Sequence, residues 1–244
     1  MKALILAAGK GKRLQSEKFN LPKVLREANG KPLIEHVLDH TNFIDKKDTV
    51  LVVGYMKEKV IEHVGDSYNY SIQDEQKGTG HAVMCAREQF EGYDGDVLIL
   101  YGDMPLVKKE TYMAVIEKHQ KSGADCTLLT AIVDDPPAYG RIIRDAEGKV
   151  SQIVEEKDCD EEQKKIKELN VGIYVFNSKL LFDGLKELGN NNAQNEYYLT
   201  DMPMIFIEKG LKVETYSIDN ITEVYGVNTM EDLEFCEREL AKYN

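Results

Sequence analysis

Two hydrophobic periodicities alternate along the chain. Leu4-Ile5-Leu6-Ala7-Ala8 is apolar without interruption, the pattern of a strand buried on both faces, and it stops at Gly9-Lys10-Gly11. Leu33, Ile34, Val37 and Leu38 then recur at helical spacing, and Thr49 to Val53 is a second unbroken run closed by Gly54. Val60, Ile61 and Val64 predict a helix, and Tyr70 to Gln73 a short strand. Gly78-Thr79-Gly80 predicts the opening of a helix that reaches about Phe90. Val97 to Tyr101 is the next strand, ended by Gly102-Asp103, and Met113 to His119 is helical. This β-α-β-α alternation predicts an α/β fold, a Rossmann-like, mostly parallel sheet with helices on both faces. Ligands of such sheets sit at the carboxyl ends of the strands, where Gly9, Gln73 and Asp103 fall.

From Asp125 the pattern changes. Thr127 to Val133, Arg141 to Arg144, Val150 to Val154 and Val171 to Phe176 read as strands with short connections. The charged stretch Asp158 to Glu168 between them is expected to be a solvated helix. This half is expected to form a strand-rich insertion covering the first sheet. Thr229 caps a last helix, with Asp232 three residues on. The expected division is residues 1–228, in halves 1–124 and 125–228, followed by a C-terminal helix over 229–244.

Candidate chemistry gathers at the strand ends. Two glycines one residue apart let backbone approach a ligand closely and aim several N–H groups at a phosphate, and Arg13 and Lys23 add positive charge nearby. The dinucleotide fingerprint fails at Leu14, and the P-loop pattern fails because Gly11 follows Lys10. Asp103 is a candidate ligand for Mg²⁺, which takes one or two protein carboxylates plus substrate phosphates. A turn residue is its plainer reading. The polar run from Asn190 to Asp201, with Tyr197 and Tyr198, suits either a long surface loop or a polyhydroxylated ligand. His36 and His40 lack the zincin pattern, no G-x-S-x-G elbow is present, and Cys85 reads as a small core residue.

Composition narrows the partners. The 244 residues carry 31 basic and 43 acidic side chains, a net charge of −12, with 42% hydrophobic and 30% charged residues. A basic footprint for nucleic acid is missing, so an anionic small substrate must be drawn in by a local cluster such as Arg13 and Lys23. Four scattered cysteines suit a reducing cytoplasm, and no stretch reaches membrane-spanning length.

The motifs Leu6-Ala7-Ala8-Gly9-Lys10-Gly11, Arg13, Pro22-Lys23-Val24-Leu25 and Gln76-Lys77-Gly78-Thr79-Gly80-His81-Ala82 occur here in one order with several others. These are Tyr101-Gly102-Asp103, Asp135-Pro136, Tyr139-Gly140-Arg141-Ile142, Ile153-Val154-Glu155, Asn170-Val171-Gly172, residues 191–201 and Gly226-Val227-Asn228. Over nearly its whole length the chain resembles the sugar nucleotidyltransferases, most closely the uridylyltransferase half of the bacterial bifunctional enzymes that make UDP-N-acetylglucosamine. The resemblance implies the nucleotide-diphospho-sugar transferase fold. It also implies a reaction of UTP with N-acetyl-α-D-glucosamine 1-phosphate that yields UDP-N-acetylglucosamine and pyrophosphate. It implies catalytic roles for Arg13 and Lys23, and nucleotide contacts from Leu6, Ala8, Gly9, Gly11, Gln73, Gly78 and Thr79. Sugar contacts are implied for Tyr101, Gly140, Glu155, Asn170, Tyr198 and Thr200. Asp103 and Asn228 would hold Mg²⁺, for which Mn²⁺ can substitute. The partners implied are UTP and a sugar 1-phosphate, with no nucleic acid and no membrane, and the oligomeric state is open. Lys12 stands where the family usually has Thr, and the loop before Pro22 is longer around Phe19. Both departures bear on triphosphate affinity. Asn195 replaces the usual Gly, which bears on sugar preference. No hexapeptide repeats follow Asn228, so acetyl transfer is not expected of these residues. Two rivals stay open: the same chemistry on glucose or N-acetylgalactosamine 1-phosphate, and a non-catalytic nucleotide-sugar-binding subunit.

Overall fold

The unbroken apolar runs become the central strands of one sheet in the computed structural model, which describes residues 1–243. The chain begins with β1 (Lys2–Ala7), a loop, the single turn α1 (Ser16–Phe19) and a small hairpin of β2 (Glu27–Ala28) and β3 (Lys31–Pro32). Next come α2 (Leu33–His40), β4 (Thr49–Val53), α3 (Lys57–Val64), β5 (Asn69–Ile72), α4 (Thr79–Cys85), β6 (Asp96–Tyr101) and α5 (Lys109–Ser122). The second half supplies β7 (Cys126–Ile132), β8 (Gly140–Arg144), β9 (Val150–Val154), β10 (Glu168–Asn177), α6 (Ser178–Gly184), α7 (Met202–Glu208), β11 (Val213–Ile218) and α8 (Met230–Leu240).

The strand order is β11-β7-β10-β6-β1-β4-β5, and β8 and β9 branch from β10. Along that path every pairing is parallel except those of β10, which runs against β6 and β7. The register puts Ala7 opposite Val53, Leu6 opposite Tyr101 and Val53 opposite Ile72, so the carboxyl ends of β1, β4, β5 and β6 are level. Being reversed, β10 enters the sheet at that same end, and Asn170 arrives beside it.

The period-2 alternation of a strand sends neighbouring side chains to opposite faces. Ala3, Ile5 and Ala7 pack with Ile34 and Val37 of α2, Val60 of α3 and Tyr112 and Val115 of α5. Leu4 and Leu6 pack on the other face with Ala82 and Val83 of α4, Leu181 and Phe182 of α6 and Phe206 of α7. A sheet with helices on both faces is therefore what the apolar runs require. Among the described residues no helix is long and apolar enough to cross a membrane.

Two expectations meet a different outcome, and one strand has no counterpart among them. The second half does not cover the first sheet but extends it, because β10 is itself buried on both faces: Ile173 and Val175 join one cluster, Tyr174 and Phe176 the other. The 158–168 stretch is not a helix. It holds two short 3-10 turns, Glu156–Asp158 and Gln163–Lys165, before β10 begins at Glu168. Lys164 and Lys165 pair with Glu161 and Glu162 in solvent and offer no apolar stripe, while the Asp160 carboxylate accepts from the backbone N–H groups of Glu162 and Gln163. That local bonding competes with helix where no tertiary packing supports one. Strand β11 escapes the hydrophobic pattern because it lies at the sheet edge and is only half-buried along most of its length.

Helix α8 starts as expected. Thr229 Oγ1 accepts from the Asp232 N–H at 3.2 Å, and Asp232 Oδ2 accepts from the N–H groups of Thr229 and Asn228 at 2.8 and 2.9 Å. The cap thus holds Asn228 as well as the helix. Asp232→Ala should lower stability by about 1.5–3 kcal/mol, the range for hydrogen bonds to a charged group. Urea unfolding of the two proteins at pH 7 checks this, and an unchanged midpoint would show the cap to be dispensable.

Candidate active site

Two adjoining cavities open where the carboxyl ends of the parallel strands meet the start of β10. One, of about 210 Å³, is lined by Leu6, Ala8, Gly9, Lys23, Gln73, Gly78 and Thr79 among others. The other, of about 240 Å³, is lined by residues that include Gly140, Glu155, Asn170, Tyr198, Thr200 and Asn228. Thr79, Tyr101, Asp103 and Glu196 belong to both. The structure therefore gathers residues spread from position 6 to position 228 into one continuous cleft with Asp103 at its middle.

The first cavity is built by the opening loop. Gly11 has φ +64°, and a Cβ there would lie 2.6 Å from Ser16 Oγ and 2.7 Å from Lys23 Cβ, so only glycine lets the loop fold back on the Pro22–Leu25 turn. Among the described residues, the N–H groups of Gly9, Lys10 and Gly11 donate to no protein acceptor. Gly78 has φ +107° and packs against the backbone of Tyr197, and Thr79 Oγ1 accepts the Leu199 N–H at 3.0 Å. These contacts fasten the first half of the chain to the polar run near position 197. Gln73 is 3% exposed, and its Nε2 donates to the Gly78 carbonyl at 3.1 Å.

The second cavity is lined in part from β8, from Glu155 just after β9, from β10 and from the 194–200 segment. Thr200 Oγ1 donates a short hydrogen bond to Glu155 Oε1. Burial raises the Glu155 pKa, the Thr200 hydroxyl opposes that rise, and Asp158 adds to it. Asn170 is buried; its Nδ2 donates to Tyr174 OH at 2.6 Å and its Oδ1 accepts from the Gly172 N–H at 3.2 Å. The register shift between Asn170 and Tyr174 against β7 leaves room for this turn of polar bonds inside an apolar strand. Tyr198 OH accepts from Gln194 Nε2 at 2.9 Å. Asn195 has φ +55°, a conformation that Asn adopts more readily than most residues, so it can stand where glycine is usual.

Asp103 and Asn228 meet between the cavities. The Val227 N–H donates to the Asp103 carbonyl at 2.9 Å, and Tyr139 OH donates to the Val224 carbonyl and accepts from the Gly226 N–H, each at 2.9 Å. The Lys23 ammonium forms a close ion pair with Asp103 and donates to Asn228 Oδ1 at 2.8 Å. One carboxylate and one amide oxygen are hard donors of the kind Mg²⁺ takes, with its remaining positions left to water and phosphate. A cationic group already lies between them, so the pair fits a cation.

Several residues fall elsewhere. Arg13 is exposed and lines neither cavity. Gly11 shapes the loop without lining the cleft. The longer loop near Phe19 forms α1, and Phe19 lies 4.1 Å from the Arg26 guanidinium. His36 and His40 bond the carbonyls of Ala28 and Val107 at 3.1 and 2.7 Å, and among the described residues no cluster of three His, Cys, Asp or Glu is set to hold a metal. Cys85 is half-buried, not a core residue, because it ends α4 on the side of His81, 3.9 Å from His81 Nε2. Sequence reasoning missed the roles of Tyr139, Gln194 and Glu196. Each stands in or beside a quoted motif, but what it touches is decided by the fold.

The family profile described as nucleotidyl transferase matches residues 2–231. The chain belongs to the nucleotidyl transferase family. It is 49% identical over 228 residues to the bifunctional protein GlmU of Clostridium novyi, covering 93% of this chain and 49% of that protein. It is 42% identical over 236 residues to the GlmU of Geobacillus thermodenitrificans, covering 97% and 51%. The chain thus spans about half the length of the curated relatives it matches. Its fold is shared with a UDP-glucose pyrophosphorylase solved with UDP-glucose, at TM-score 0.77 and 18% identity over 100% of this chain and 99% of that one. The family resemblance and the fold class read from the motifs are both borne out.

Asp201, next to Thr200, has its carboxyl pKa raised to about 6 by burial and by the Glu155 and Asp158 carboxylates. Its folded value lies above the ordinary one, so the proton binds more tightly in the folded state. The charged form therefore costs stability above about pH 6, and that cost fades as pH falls toward 4. Asp201→Asn should raise stability at pH 7.5 by roughly 1 kcal/mol, about 2–4 °C in melting temperature, with the gain vanishing by pH 4.5. Melting curves of both proteins across this range check it.

Proposed function

We propose that this chain transfers a uridylyl group from UTP to N-acetyl-α-D-glucosamine 1-phosphate, giving UDP-N-acetylglucosamine and pyrophosphate. The observation that carries the reading is the continuity of the cleft. A loop with free N–H donors lies at one end, and the Glu155, Asn170, Tyr198 and Thr200 cluster at the other, with the Lys23–Asp103 ion pair between. Residues 1–124 serve the nucleotide and 125–228 the sugar, with α8 holding Asn228 through its cap.

The sugar phosphate oxygen is already an anion, so it attacks the α-phosphorus of UTP without a general base. The bond from that phosphorus to the bridging oxygen breaks, and pyrophosphate leaves with the charge. Catalysis is then positioning plus charge neutralisation. The Gly9–Gly11 loop and Lys23 receive the triphosphate, and Arg13, reaching from the exposed loop, adds charge to its outer end. Preorganised cations act most strongly on the charge that develops in the transition state. Asp103 and Asn228 would hold Mg²⁺, or Mn²⁺ in its stead, which when bound supplies neutralisation of phosphate charge. Gln73, Gly78 and Thr79 read the base. Glu155 accepts from sugar hydroxyls, and Asn170 both donates and accepts. A cytoplasmic location goes with substrates of this kind.

Pyrophosphate release measured over a panel of nucleotides and sugar 1-phosphates tests the reading. UTP with N-acetylglucosamine 1-phosphate should give the highest kcat/KM, and glucose 1-phosphate should be poor but detectable, since a pocket for the larger group cannot strongly reject a smaller one. A preference for glucose or N-acetylgalactosamine 1-phosphate would transfer the assignment to that sugar, and no turnover with any pair would favour a binding subunit. Asp103→Ala should lower turnover by about two orders of magnitude or more; full turnover at low Mg²⁺ would refute the role of Asp103. Glu155→Ala should raise KM for the sugar phosphate about tenfold or more while the KM for UTP stays nearly constant, since a buried polar partner is left unpaired. The opposite split would overturn the assignment of the two halves.

A further inference from the structure

We propose that His81 is a specificity-determining positioning residue: it locks the Gln73 side-chain amide with its oxygen toward the base cavity, so that the cleft selects a nucleobase presenting an N–H at that point. The inference rests on the uridylyl reading of the same cavity and deepens it. Gln73 is nearly fully buried and lines the first cavity. One end of its amide lies 3.1 Å from the Gly78 carbonyl oxygen, which can only accept, so that end is the NH₂ group. The same nitrogen lies 3.1 Å from His81 Nδ1. With its two hydrogens directed at these two acceptors, the amide nitrogen is saturated. His81 Nδ1 must then carry a lone pair, and its ring proton sits on Nε2, the nitrogen nearer Cys85. Burial first, and Lys77 second, lower the His81 pKa, against smaller opposing effects of the Glu75 carbonyl and carboxylate, in keeping with a neutral ring.

What remains of Gln73 is Oε1. No donor reaches it among the described residues, and it is the amide atom left to the cavity. An oxygen there accepts from the N3–H of uracil. The N3 of cytosine carries a lone pair instead and meets it oxygen-to-nitrogen with no proton between them. Turned by 180°, the same amide would serve cytosine and reject uracil. The Gly78 carbonyl opposes that turn with one hydrogen bond, and His81 adds the second while its ring proton stays on Nε2. Discrimination between the two pyrimidines therefore depends on a residue that need not touch the base.

Two substitutions separate this role from simple packing. In His81→Asn the side-chain oxygen lies two bonds from Cβ, as Nδ1 does, and can accept from Gln73. In His81→Gln the polar atoms lie three bonds from Cβ, as Nε2 does, and cannot fill that place. Equilibrium binding of UTP and of CTP, each with Mg²⁺, is measured by calorimetry for the wild type and both variants. The wild type should favour UTP; His81→Gln should lose about tenfold of that ratio, the worth of one net hydrogen bond, and His81→Asn should keep it. An unchanged ratio in His81→Gln overturns the proposal, as does an equal loss of affinity for both nucleotides in both variants, which marks a structural role. A variant that fails to melt cooperatively while its counterpart binds normally is read through that counterpart: a ratio lost in a folded His81→Asn also overturns it. Wild-type preference for ATP over UTP would refute the uridylyl reading and this proposal together. Preference for dTTP, whose base shares the N3–H, would refute only the former.

Discussion

Strand β1 must be covered on both faces. Its residues from Ala3 to Ala7 are all buried, so neither face tolerates a polar group, and its backbone is satisfied only by flanking strands. The neighbours β4 and β6 are as apolar as β1, and the helices are recruited to cover all three. A sheet of this kind has no polar surface in its middle. The only positions where charged and hydrogen-bonding side chains can gather are the strand ends, and parallel pairing makes the carboxyl ends level. The Gly9–Gly11 loop, Gln73 and Asp103 meet there as a consequence of what β1 excludes.

The second half solves a different problem. It carries buried polar groups inside an apolar frame, which are costly unless each is paired. Here they are paired with one another: Thr200 with Glu155, Asn170 with Tyr174, Tyr198 with Gln194. The reversed strand β10 makes this possible, because it carries Asn170 to the same end of the sheet while its apolar continuation fills both cores. Lys23 performs the corresponding service at the centre, balancing the Asp103 carboxylate and engaging Asn228. The cleft is thus stable as a set of internal pairs, and bound groups would exchange with partners already present.

Departures from the family pattern are absorbed locally. Asn195 adopts the left-handed conformation that the usual glycine would provide. The longer loop near Phe19 folds into one helical turn and rests on Arg26, away from both cavities. Neither change reaches the paired groups of the cleft.

The sequence by itself determined the layered fold, because uninterrupted apolar runs alternating with helical spacing admit few other arrangements, and it located Gly9, Gln73 and Asp103 at strand ends. It determined the start of α8, since a cap is a contact between residues three apart. Its family motifs named most of the residues that line the cleft. What it did not determine is which of them meet. Asp103 and Asn228 are joined through the Val227 N–H and the Tyr139 hydroxyl, contacts across more than eighty residues that no local spacing encodes. The charged stretch near position 160 looked helical and is not, because helix there would need an apolar face to pack. Arg13 looked like the partner of Lys23, yet the loop geometry turns one outward and the other onto Asp103. Only the tertiary structure decided these points. Short-range patterns record which surfaces must be buried, whereas the partners of buried polar groups depend on where distant segments come to rest.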